Sequence, residues 1–134
     1  MTKEQMLTIK GSILIGSRRL GVAKIDSDYD VAVKLSDLPQ ELIDVLNSPS
    51  DFNIRKYFNK LPLGNGYYIP KLQVEDSLDH FDVIIFEDDN DFGILEKAMK
   101  DMLLLPQYMI TSKDLRIQLF ELALGNYGFV DGSI

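Results

Sequence analysis

The run Phe81-Asp82-Val83-Ile84-Ile85-Phe86 constrains this chain more than any other stretch. It is apolar on both alternating faces, the pattern of a strand covered on both sides and central in its sheet. The one exception is Asp82. A lone carboxylate among buried apolar side chains costs several kcal/mol unless it is paired or metal-bound. The bland alternative places it at an exposed strand end.

The rest of the chain supplies partners for that strand. Met1 to Leu7 reads as a short helix, and Ser12 to Ile15 as a brief strand ending at Gly16-Ser17. A short helix follows, closed by Gly21. Asp28 to Lys34 alternates, with Tyr29, Val31 and Val33 on one side and Asp28, Asp30 and Ala32 on the other. Ser36-Asp37-Leu38-Pro39 starts a helix that ends near Asn47. Residues 51–60 fit either a strand or a packed loop. Leu63-Gly64-Asn65-Gly66 is a turn. Tyr67 to Val74 is a strand in which Pro70 argues for an edge position or a bulge. Phe92, Leu95, Met99, Met102 and Leu103 mark a helix stripe, fed by the acidic stretch Glu87 to Asp91. Thr111-Ser112-Lys113-Asp114 resembles a capping box. It opens a last helix marked by Leu115, Leu119 and Leu122 and ended by Gly125. Asn126 to Ile134 reads as a loose tail. The order predicts an α+β fold, an α/β sandwich in which a mixed β-sheet of about four to five strands is flanked by helices, in a single domain over 1–134.

The composition narrows the function. With 134 residues and 46% hydrophobic content, the chain has enough apolar surface for one core. No apolar run approaches the ~20 residues of a membrane span, and the N-terminus does not read as a signal peptide. There are no cysteines, which removes disulfides, thiol nucleophiles and zinc-thiolate sites. A cytoplasmic protein without a membrane partner is expected. The net charge is −7, with 14 Lys and Arg in all, which disfavours extended nucleic-acid binding but not a single nucleotide. Arg18, Arg19 and Lys24 supply local cations for one. Arg55, Lys56 and Lys60 read as a solvated basic face.

Asp28 and Asp30 sit at i and i+2 of a strand, so their side chains leave one face with Cα atoms about 6.5–7 Å apart. Two such carboxylates repel unless a cation sits between them. Mg²⁺ suits hard oxygen ligands together with substrate phosphates. Alone, the pair reads equally well as solvent-facing. If the strand of Asp82 lies alongside, the three carboxylates meet. Gly16 permits close backbone approach to a ligand, and Ser17 offers an N–H and a hydroxyl to a phosphate. Neither is specific alone. His80, the only histidine, reads as structural or solvated. Glu87 to Asp91 fails the calcium-loop pattern.

The set is more specific than its parts. Ile15-Gly16-Ser17, ten residues (18–27), Asp28-Tyr29-Asp30-Val31 and then Phe81-Asp82-Val83 together resemble the DNA polymerase β-type nucleotidyltransferase superfamily. Arg18, Gly21 and Ser27-Asp28 resemble its minimal nucleotidyltransferase branch. The likeness spans about residues 12–86. It departs from the pattern at Leu20, where the branch carries a second Arg, and at the bulky Tyr29. The resemblance implies a polymerase β-like nucleotidyltransferase fold. It implies two Mg²⁺ ions on Asp28 and Asp30, with Asp82 completing the metal site and helping to deprotonate the acceptor hydroxyl. Gly16, Ser17, Arg18 and Ser27 would bind the nucleoside triphosphate.

The expected activity is Mg²⁺-dependent transfer of a nucleoside monophosphate, AMP from ATP before others, to a hydroxyl of a protein or small molecule. The competing class is a non-catalytic nucleotide- or partner-binding module on the same fold, such as an antitoxin-like protein with a toxin-like partner. A glycosyltransferase using Asp-x-Asp is disfavoured by the short chain and the preceding Gly-Ser.

Overall fold

The structure, a computed structural model, describes residues 1–47, 54–57 and 67–127. It is α+β with a mixed sheet. Its strands are β1 (Ile13–Ile15), β2 (Tyr29–Lys34), β3 (Ile54–Tyr57), β4 (Tyr67–Gln73) and β5 (His80–Phe86). Their order in the sheet is β1-β2-β5-β4-β3. Only the β2–β5 pair is parallel; the other three pairs are antiparallel. The helices are α1 (Lys3–Leu7), α2 (Gly16–Leu20), α3 (Gln40–Asn47), α4 (Asp89–Leu103), α5 (Gln107–Ile110) and α6 (Lys113–Asn126).

Period-two alternation on β2 and β5 divides the core between the two faces of the sheet. Val31, Val33, Phe81, Val83 and Ile85 pack with Met6 of α1 and Leu42 of α3. Ala32, Ile84 and Phe86 pack with Phe92, Leu95, Met99 and Met102 of α4 and with Leu124 of α6. Burying a side chain such as Phe81 or Leu95 contributes about 1.5–3 kcal/mol. The apolar run thus occupies the middle of the sheet, with helices on both faces. Asp30 and Asp82 share the parity of Ala32 and Ile84, so they begin the face that α4 and α6 cover. No helix among the described residues is long and apolar enough to cross a membrane.

Several elements follow local chemistry. Thr2 and Gln5 form a capping box on α1. Asp88 caps α4, its carboxylate accepting from the N–H groups of Asn90 and Asp91. Gly21 closes α2 in the left-handed conformation at φ 74°.

Other expectations need correction. Pro70 is neither at an edge nor at a bulge, because β4 lies between β5 and β3. The register with β5 is the same on both sides of Pro70, and the ladder omits only Ile69 and Pro70. The sheet thus absorbs the missing N–H without inserting a residue. Residues 54–57 form the edge strand β3. The box at Thr111 to Asp114 does not form. The N-cap is Ser112, one residue later, so the third helical position is Leu115, which cannot reciprocate. α6 runs through Gly125 to Asn126, and the single turn α5 was not anticipated. Of the expected stripe on α6, Leu115 and Leu122 are exposed, while Ala123 and Leu124 are buried. The turn at Leu63 to Gly66, Lys60 and the tail beyond Tyr127 lie outside the described residues, as do the side chains of Arg55 and Lys56.

Candidate functional site

The site begins where β1 ends. Ile15 pairs with Asp30, and the chain then turns into α2 at Gly16, whose φ is 69°. A side chain is disfavoured there twice over. The left-handed region is costly for other residues, and an added Cβ would run into the Asp30 carboxylate. Backbone and carboxylate can meet this closely only because the residue is glycine. No side chain caps α2, and Gly16 and Ser17 both border a cleft of about 660 Å³.

Asp30 and Asp82 stand directly across from each other on the parallel strands β2 and β5, so their backbones are about 4.8 Å apart. Asp28 precedes β2 by one residue. All three carboxylates and Ser27 border the same cleft. Asp30 bears the cost of this crowding. Burial, then the charge of Asp82, then that of Asp28 push its carboxyl up to about 7, against opposing effects of Lys71 and Arg116.

Asp28 is not without a cation. Lys71 of β4 donates from Nζ to its Oδ2 at 2.7 Å, and Lys71 is also the register partner of Asp82. Among the described residues, no group of three or more carboxylate or histidine side chains is gathered to hold a metal ion. The donor chemistry nevertheless suits Mg²⁺. The oxygens are hard, and burial together with the charges of Asp82 and Asp28 makes an ionised Asp30 costly, a cost that a bound cation would relieve.

Arg18 is placed elsewhere. Its Nη2 donates to the carbonyls of Ile25 at 3.2 Å and Ser27 at 2.8 Å, and the guanidinium lies 4.4 Å from the centre of the Tyr29 ring. Its buried Nε has no partner among the described residues. It does not border the cleft. The structure therefore brings together Gly16, Ser17, Ser27, Asp28, Asp30 and Asp82, but not Arg18. The Ser27 hydroxyl accepts from the Lys24 N–H at 2.8 Å, so Ser27 also shapes the loop before Asp28. His80 is exposed.

Sequence reasoning missed Lys71, and it missed Lys113 and Arg116, which α6 brings to the cleft. Lys71 was legible only with the β4–β5 register in hand. Lys113 and Arg116 carried a local signal, since i, i+3 spacing puts two cations on one helix face. No protein-family model matches this chain, and no match was found among curated proteins.

Proposed function

We propose that this chain is a nucleotidyltransferase of the minimal, polymerase β-like kind, moving AMP from ATP to a hydroxyl of a protein or small molecule. The observation that carries the reading is the register of Asp30 with Asp82, directly beneath the Gly16 turn and beside Asp28. An open cleft of about 660 Å³ lined by Gly16, Ser17 and clustered carboxylates has the room and the donors that metal-assisted phosphoryl chemistry requires.

In this reading Asp28, Asp30 and Asp82 hold Mg²⁺. The bound ions supply charge neutralisation of the attacking and leaving oxygens. Asp30 gives up the proton that crowding lets it keep near neutral pH. Asp82 takes the proton of the acceptor hydroxyl, whose oxygen bonds to the α-phosphorus of ATP as pyrophosphate leaves. Ser17 offers its N–H and hydroxyl to the triphosphate. Lys71 must part from Asp28 for that carboxylate to bind a cation fully.

The Lys71–Asp28 pair at 2.7 Å also favours a second reading, a non-catalytic nucleotide- or partner-binding module. A tethered ammonium there replaces part of a metal's charge. Incubation with labelled ATP, Mg²⁺ and candidate acceptor proteins separates the two. The first reading expects label transfer by wild type and none by Asp30→Asn or Asp82→Asn. Nucleotide binding without transfer to any acceptor favours the second. Transfer that survives both substitutions overturns the catalytic assignment.

A further inference from the structure

We infer that Lys113 and Arg116, at the start of α6, are the cations that recognise the phosphate chain of a nucleoside triphosphate in this cleft, in place of Arg18. The inference rests on the nucleotide reading above and adds to it the residues that bind the phosphates.

A polyanion entering beside Asp28, Asp30 and Asp82 meets like charge and needs cations of its own. The two arginines beside the Gly-Ser turn do not provide them. Arg18 is held by two carbonyls and the Tyr29 ring, and Arg19 donates to the Leu14 carbonyl at 3.5 Å. Neither borders the cleft. Lys71 borders Asp28 and is paired with it. Lys24 also borders the cleft, but it is exposed on the loop before Asp28, and no hydrogen bond or ion pair among the described residues fixes its ammonium.

α6 fills the gap. Lys113 and Arg116 both border the cleft, from a part of the chain far from the motif. Lys113 is exposed and makes no salt bridge among the described residues. Arg116 is half-buried, and among the described residues only its Nη1 is engaged, with the carbonyls of Ile110 at 2.9 Å and Thr111 at 3.4 Å. Those bonds fix the guanidinium while leaving its other N–H groups for a ligand. Its charge already reaches Asp30. α6 itself is anchored, with Leu124 fully buried and the Tyr127 hydroxyl donating to Asp101 of α4. The two cations therefore stand on a fixed support, suited to anion recognition by charge-assisted hydrogen bonds.

The test is calorimetric binding of ATP and of inorganic tripolyphosphate, both with Mg²⁺, to wild type and to Lys113→Glu and Arg116→Gln. Lys113→Glu is the primary variant, because Lys113 supports no other element. The expected result is about a tenfold or greater rise in Kd for both ligands in each variant, the loss of one charge-assisted contact. Tight binding of both ligands by wild type, with Kd unchanged in both variants, overturns the assignment to α6 and leaves the nucleotide reading standing. If only ATP binds wild type and the variants bind it normally, recognition lies in the nucleoside and the assignment also fails. Binding of neither ligand by wild type overturns the nucleotide reading and this inference together.

Discussion

Gly16 presses its backbone so closely on the carboxylate of Asp30 that no Cβ fits between them. The two residues are tied from both directions, since Ile15 pairs with Asp30 and the turn at Gly16 follows at once. Gly16→Ala must either displace Asp30 or move β1, and it must hold alanine at φ 69°. A loss of about 1–3 kcal/mol is expected from the left-handed conformation, plus the displacement. Chemical denaturation measures it. An alanine variant as stable as wild type would mean that the turn relaxes freely and does not position Asp30.

Asp30 should set a pH dependence of stability. Its folded-state pKa is raised, to about 7 from 3.8, by burial and by Asp82 and Asp28. The folded protein therefore holds a proton that the unfolded chain gives up between those values. The stabilising contribution is fully present below the unfolded pKa and is lost as pH rises through 7. Asp30→Asn should flatten this slope and be more stable than wild type by about 4 kcal/mol at pH 8, with little difference at pH 4. Thermal melts across that range check the sign. The same logic predicts that Mg²⁺ or Mn²⁺ raises the melting temperature of wild type more at pH 8 than at pH 5, and does so less in Asp30→Asn.

How much of this was legible follows from the range of each signal. The strands of Val31 and Val33 and of Val83 and Ile85 were readable because burial on two faces leaves a local pattern. The place of Asp82 beside Asp30 was only conditional, because the parallel pairing of their strands is set by a long crossover that includes α3, β3 and β4 rather than by nearby residues. Pro70 misled for the same reason. Its missing N–H is a local fact, whereas tolerance of it depends on the register with β5. Arg18 sits beside the Gly-Ser turn in sequence, but the carbonyls of Ile25 and Ser27 and the face of Tyr29 compete for its guanidinium. Proximity in sequence to a motif did not determine where its long side chain goes.

Lys71 should restrain cation binding. Its ammonium sits on Asp28 at 2.7 Å, half-buried beside a crowded set of carboxylates. Lys71→Met removes the only cation in direct contact with Asp28 among the described residues. At low divalent concentration the variant should be less stable than wild type by about 1–2 kcal/mol, because clustered like charges lose their counter-ion. Manganese affinity, read by electron paramagnetic resonance of the free ion, should rise about tenfold, since no tethered charge must be displaced. Unchanged manganese affinity would show that Lys71 and a divalent ion do not share Asp28.

Arg18 should act on the loop before Asp28 rather than on a ligand. Two of its hydrogen bonds end on the carbonyls of Ile25 and Ser27, and its guanidinium covers Tyr29, whose ring stacks on Phe81 with centroids 4.8 Å apart. Removing it frees two carbonyls and uncovers an aromatic face that lies in register on β2 and β5. Arg18→Leu should therefore cost about 1–3 kcal/mol of stability. Amide hydrogen exchange should quicken at Ser27, whose N–H bonds the Lys24 carbonyl at 3.1 Å, and less in α4, whose packing is remote from the change. Tripolyphosphate affinity should fall less than in Lys113→Glu. A variant of full stability and unchanged exchange that nonetheless loses tripolyphosphate would return Arg18 to the phosphate site.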